Sequence, residues 1–346
     1  VVPEHHLPRT TDLDFRDADY PAEPYPGAVP AESYVHVPGG GLVGDPDALL
    51  AELGDVPMAG RVPVLTYGSN RNPAKIGWLR ATLGLTGAVV VQRCTTRDLA
   101  AVWAVGLRVV DDQRPAVLVS APGVVEEHAV WFATPAQVEV LDRCEGRVVG
   151  RYRLARLHSG TVDLVSGDGR HGDHRHSRVG SPFVYLGAAE VRRPLLVDGA
   201  PVRCADVPQS AARGLVGVPG DDRLDATTVH GPPNPDSWPD RLFVYGTLQP
   251  GDRAWHLLEP LATAVSPATG RGRLFDTGLG FPALVPGADP VPGHVVTLRD
   301  PATALPGLDE YEGPEYARVR VSVEGRPCWT YVWIRATEGF RPISGW

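Results

Sequence analysis

The chain has 346 residues, 43% hydrophobic and 21% charged, with a formal net charge of −8. That length allows two domains of ordinary size, and the negative balance argues against nonspecific binding to nucleic acid or to an anionic membrane. No run of about 18 apolar residues is present, so no transmembrane helix is expected.

The 39 glycines and 35 prolines favour many short strands and turns over long helices. Residues 1–60 read as a Pro/Gly-rich N-terminal extension that carries Phe15, Tyr20, Tyr25 and Tyr34. It either wraps along a domain surface through these aromatics or hangs as a loose tail. Its first 19 residues are polar and lack the apolar stretch of a signal peptide. One helix is expected inside it, capped by Asp45, with Pro46 in the first turn and Gly54 as the stop.

Val62 to Thr66 reads as a strand that runs into a glycine turn, Tyr67-Gly68-Ser69-Asn70. Asn72 then caps a short helix that starts at Pro73 and reaches Leu79. Runs at 88–91, 99–105, 115–119 and 127–132 read as four strands. Thr134-Pro135 starts a helix that ends just before Glu145, and Tyr152 to Leu157 follows as a strand. A polar loop from Ser166 to Ser181 holds His171, His174 and His176. Spacings of three and two in a Gly- and Arg-rich loop lack the rigid scaffold a metal site needs, so no metal is expected. A helix near Asp206 stops at Gly214. Residues 218–240, with Pro219-Gly220, Pro232-Pro233 and Asn234-Pro235, read as a linker.

From Arg241 the pattern starts again. A strand leads into Tyr245-Gly246-Thr247-Leu248, Asp300-Pro301 starts a helix that ends just before Glu312, and Tyr316 to Val323 follows as a strand. The proline-to-glutamate separation is the same in both halves, from 115 to 145 and from 282 to 312. Three motifs kept in one order, with one spacing preserved, indicate an internal duplication. The expected organisation is therefore an extension (1–60), a first domain (61–217), a linker (218–240) and a second domain (241–346). Glu145 and Glu312 are expected to superpose.

The repeated residues suggest chemistry. A glycine turn at a strand end can converge its backbone N–H groups on a carboxylate or a developing oxyanion. A partly buried glutamate has its pKa raised toward neutrality, where proton shuttling is efficient. Each glutamate is expected in a cavity, its carboxylate facing its own turn. Cys94, Cys144, Cys204 and Cys328 are far apart and read as reduced thiols of a cytoplasmic protein. Cys144 beside Glu145 has Tyr311 as its counterpart, so a mechanism shared by both halves cannot need the thiol. Lys75 is the only lysine, a bias that GC-rich coding produces. No Gly-x-Ser-x-Gly, P-loop or dinucleotide fingerprint is present.

Taken together, the glycine turn, Leu-Asp-x-x-Glu-Gly and the tyrosine seven residues after Glu145 resemble the γ-glutamylcyclotransferases. The second half, with Phe281-Pro282-Ala283, Leu308-Asp309-Glu310-Tyr311-Glu312-Gly313 and Tyr316-Ala317-Arg318, is similar to the smaller γ-glutamylamine cyclotransferase branch. The resemblance covers about residues 62–215 and 241–335. It implies an α+β, mainly β fold: two tandem mixed β-barrels with short helices. It also implies catalytic Glu145 and Glu312, and substrate contacts at Tyr67, Gly68, Ser69, Asn70 and Tyr152, and at Tyr245, Gly246, Thr247, Leu248 and Tyr316. The implied reaction closes a γ-glutamyl amide or γ-glutamyl amino acid to 5-oxoproline and a free amine, without cofactor or metal, as in deprotection of a biosynthetic intermediate. The sequence departs from the family in Thr66, where alanine is usual, and in the long polar insertion of the first half. At least one half is expected to be active, the second by preference because it has fewer insertions. Two other readings stay open: a tandem binding or scaffold protein without turnover, and another acyl- or amine-transfer enzyme that uses the same cavity.

Overall fold

A computed structural model describes residues 13–165 and 177–346. The chain divides into two compact units, Val1–Pro233 and Asn234–Trp346. The histidine-rich stretch 170–176 lies outside the described residues.

In the first unit the N-terminal extension contributes strands β1 (Phe15–Arg16), β2 (Tyr34–Val37) and β3 (Gly40–Leu42) and helix α1 (Pro46–Glu52). Asp45 caps α1 by accepting from the Ala48 amide. Next come β4 (Val62–Thr66), α2 (Pro73–Leu83), β5 (Val89–Trp103), β6 (Ala116–Ala133), α3 (Pro135–Glu145), β7 (Tyr152–Leu157), β8 (Thr161–Leu164), β9 (Ser177–Arg178) and β10 (Phe183–Gly187). The unit ends with β11 (Leu195–Val197), β12 (Ala200–Pro201), α4 (Gln209–Ala212), β13 (Val218–Pro219) and β14 (Ala226–Thr228). Part of the stretch read as a linker thus pairs within this unit, β13 with β11 and β14 with β7.

The four strands expected between 88 and 132 are the arms of one long antiparallel hairpin, β5–β6. The polar middle of β5 stays paired, and the register shifts between Arg97 and Leu99. Asp98 takes a left-handed conformation there (φ 62°), and its carboxylate accepts from the Gly123 amide. A bulge of this kind bends a long arm without ending it.

The second unit comprises β15 (Arg241–Val244), α5 (Trp255–Leu258), β16 (Ala262–Asp276), β17 (Pro282–Leu298), α6 (Pro301–Glu312), β18 (Tyr316–Val323), β19 (Arg326–Trp333) and β20 (Arg341–Ile343). Its sheet runs β18-β19-β15-β17-β16-β20. β15 pairs antiparallel with β17 and parallel with β19. In the first unit the central path is β5-β6-β4-β10-β7, with β4 antiparallel to β6 and parallel to β10. Each helix that ends in glutamate joins the third of these strands in chain order to the fourth. Both units therefore use the same strand order.

A closed barrel was expected, and among the described residues neither sheet closes. In the first unit both edges that would have to meet carry other partners, and in the second unit one of them does. β5 takes β2 and β8, β7 takes β14, and β16 takes β20. The result is a pair of strand-rich α+β units with open, mixed sheets. None of the described helices is long and apolar enough to cross a membrane.

Alternation along β15 shows how the second core forms. Leu242 and Val244 join one buried cluster with Leu305, Leu308 and Tyr331. Phe243 and Tyr245 join another with Leu274 and Leu284. Side chains two apart share a face of a strand, so one short strand serves both cores.

Candidate active site

The acidic residues are placed by helical periodicity. In α6 the buried positions Ala304 and Leu308 are spaced by four, and Glu312 is the next residue in that series. In α3 Val138 and Leu141 are buried, and Glu145 follows Leu141 by four. Residues three or four apart share one face of a helix, so the core-facing stripe itself carries each carboxylate inward. Both glutamates are half-buried. The following glycines end the helices in conformations that side chains rarely adopt, Gly146 at φ 66° and Gly313 at φ 74°.

Each motif aspartate anchors its helix end to a strand. The Tyr331 hydroxyl, on β19, donates to Asp309 Oδ1 at 2.8 Å. Tyr185, on β10, donates to Asp142 Oδ1 at 2.7 Å. The turn tyrosines reach the same strands: Tyr245 donates to the Tyr331 carbonyl at 2.8 Å and Tyr67 to the Tyr185 carbonyl at 2.5 Å. Tyr316 donates to the Pro282 carbonyl and Tyr152 to that of Ala116. The two units thus repeat a hydrogen-bond frame around the turn and the acid.

In the second unit a cavity of about 480 Å³ is lined by all four turn residues, Tyr245 to Leu248, and by Glu312 and Tyr316. Thr247 Oγ1 lies 3.3 Å from the Tyr311 hydroxyl, which ties the turn to the end of α6. Burial pushes the Glu312 carboxyl up to about 7. Phe281 and Trp333 form an aromatic wall with Tyr316, the Tyr316 and Trp333 rings meeting edge to face at 5.3 Å. Arg253 and Glu315 also line the cavity.

In the first unit the turn and the acid touch directly: Asn70 Nδ2 donates to Glu145 Oε1 at 2.7 Å. Burial raises the Glu145 pKa, while the Asn70 bond and the positive charges of Lys75, Arg151 and Arg108 oppose the shift. Gly68 faces Tyr25, one of the aromatics through which the extension is expected to wrap along a domain. A Cβ on Gly68 would stand 2.5 Å from the Tyr25 hydroxyl.

Arg253, Glu315, Phe281 and Trp333 were missed as cavity residues. For Arg253 a signal existed. It stands eight residues after Tyr245, and Lys75 stands eight after Tyr67.

Residues 242–345 match the family described as gamma-glutamyl cyclotransferase, AIG2-like. The second unit belongs to this family. The match spans nearly all of that γ-glutamylcyclotransferase-like unit. A comparison with curated protein sequences finds no match. Among solved structures, the chain is similar to an uncharacterized protein from Pyrococcus horikoshii, at 22% identity over 30% of this chain and 85% of that one, with a TM-score of 0.26. It is also similar to ytfP from Escherichia coli, at 28% identity over 30% and 92%, with a TM-score of 0.24. YkqA from Bacillus subtilis is 12% identical over 80% of this chain and 84% of its own, with a TM-score of 0.24.

Proposed function

We propose that the chain is a tandem γ-glutamylcyclotransferase-type enzyme with one domain in each of its two units, and that the second domain carries turnover. The observation that carries this reading is one cavity in which Glu312, its carboxyl pushed up to about 7 by burial, shares the walls with the glycine turn Tyr245 to Leu248. The shared strand order and the repeated Tyr–Asp and Tyr–carbonyl bonds support the tandem arrangement.

In this mechanism the α-carboxylate of a γ-glutamyl amide rests on the turn amides. Glu312 takes a proton from the substrate α-ammonium, and the freed amine attacks the γ-carbonyl. A new C–N bond closes the five-membered lactam. The old amide C–N bond then breaks as the protonated Glu312 gives its proton to the departing nitrogen, and the regenerated carboxylate takes the second proton from the ring nitrogen and passes it to the released amine. The products are 5-oxoproline and a free amine, and no atom is gained or lost. A base with a pKa near neutrality serves both steps. Attack within one molecule has an effective molarity on the order of 10⁵–10⁸ M, so holding the substrate folded supplies much of the rate.

The aromatic wall of Phe281, Tyr316 and Trp333 borders the space left for the leaving amine. A panel of γ-glutamyl amides and γ-glutamyl amino acids, followed by mass detection, tests the reading. Release of 5-oxoproline is expected from at least one member of the panel. Binding without any lactam contradicts the enzyme reading in favour of a binding protein.

A further inference from the structure

The N-terminal extension places one side chain against the glycine turn of the first unit. Tyr25 is 7% exposed, and its hydroxyl accepts from the Ala116 amide at 3.1 Å while standing next to Gly68. Its backbone is held as well. The Tyr25 amide donates to Gln113 Oε1 at 2.6 Å, and its carbonyl accepts from Gln209 Nε2 at 3.5 Å. The ring lies near the Arg108 guanidinium, 5.2 Å from the centroid, and near Trp103. The chain on either side of Tyr25 is clasped by Asn72, whose side-chain amide donates to the carbonyls of Tyr20, Pro21 and Ala28. Asn72 also caps α2 through its Oδ1, so the clasp is tied to the helix that follows the turn.

The sequence motif is complete in this unit: Tyr67 to Asn70, Glu145 and Tyr152 are all present. A phenol from the N-terminal extension thus stands against Gly68, whereas in the second unit Gly246 meets only the Pro282 ring and its turn lines an open cavity.

We propose that Tyr25 is an internal plug that holds a second γ-glutamyl site shut in the first unit, and that displacing the N-terminal strap opens it. This inference rests on the cyclotransferase reading of the second unit. Ligand binding at the first turn competes with the Tyr25 contacts, so apparent affinity there is the intrinsic affinity scaled down to the fraction of chains in which the strap is displaced.

The test uses the full chain and a γ-glutamyl amide that the wild type converts to 5-oxoproline. Glu312→Gln silences the second unit, and about 1% or less of turnover is expected to remain. Adding Tyr25→Ala is expected to raise 5-oxoproline formation at least about tenfold above that residue, and a further Glu145→Gln to remove the gain. Calorimetry with 5-oxoproline as the probe is expected to count one site in the wild type and two in Tyr25→Ala. Gln113→Ala, which frees only the Tyr25 amide, is expected to act in the same direction with a smaller effect and guards against misfolding of the first variant. Two results overturn the plug: turnover in Glu312→Gln that Glu145→Gln abolishes while Tyr25 is intact, or no gain in turnover or sites when either Tyr25→Ala or Gln113→Ala is present in a folded chain. A wild type that releases no 5-oxoproline from any γ-glutamyl amide overturns the underlying reading instead.

Discussion

The Tyr331 hydroxyl donates to Asp309 Oδ1 at 2.8 Å, three residues before Glu312 in α6. Its counterpart, Tyr185 to Asp142 at 2.7 Å, stands three residues before Glu145. In each unit the bond pins the last turn of the helix to the strand that also receives the turn tyrosine. The glycine turn and the acid are thereby referred to the same strand. Tyr331→Phe removes the bond and keeps the ring. The expected cost is about 1 kcal/mol of stability, read by urea denaturation, together with a fall in kcat that exceeds any change in KM. Unchanged kcat with lowered stability would assign the bond a purely structural role.

Gly246 is a second point of close approach. A Cβ there would stand 2.7 Å from Cγ of Pro282, a ring fixed at the start of β17. Real Cβ atoms do not come so close, so the turn has to shift. Gly246→Ala is expected to lower kcat/KM by about 10- to 100-fold, since a displacement of about 1 Å at a positioned site costs that much. The melting curve should change little by comparison, and a fully active variant would remove the turn from the proposed mechanism.

The pH dependence of stability follows from Glu312. Its carboxyl titrates at about 7 in the folded unit, against an ordinary value of 4.5. Between those values the folded state keeps a proton that the unfolded chain has lost. Stability from this group is therefore fully present below about pH 4.5 and is lost as pH rises through 7. The loss is on the order of 3 kcal/mol. Glu312→Gln cannot titrate, so the variant should gain stability over the wild type at pH 8 and much less at pH 4.5. Denaturation of both proteins at the two pH values measures the difference. An equal offset at both would mean that Glu312 is not shifted.

Activity should follow the same group in the opposite sense. The base form of Glu312 is needed to take the substrate proton, so kcat/KM is expected to rise with pH up to about 7 and then level off. A pH–rate profile that is flat from 5 to 8 would contradict a general base at this position.

Much of this was legible in the sequence, because the features that carry it are local. Caps at Asp45, Asn72 and Thr134 fix helix starts through their own side chains. The Glu-Gly pairs mark helix ends, since glycine readily takes the positive φ that follows the acid in both units. The strands Tyr152–Leu157 and Tyr316–Val323 have the bounds expected from their sequence. What the sequence concealed is long-range. The β5–β6 hairpin reads as four strands because its polar middle is indistinguishable from loop. Sheet closure depends on which strand reaches an edge first, and β2, β14 and β20 take those edges from distant parts of the chain. Tyr25 looks like any aromatic in a proline-rich leader until Gln113, Asn72 and Gly68 are brought around it.

The central claim is that Glu312 drives lactam closure. The most direct measurement is 5-oxoproline release, by mass, from a γ-glutamyl amide incubated with wild type, Glu145→Gln, Glu312→Gln and the double variant. Wild type and Glu145→Gln are expected to release it at similar rates, while Glu312→Gln and the double variant lose about 10²- to 10⁴-fold. A double variant as active as the wild type would contradict the account.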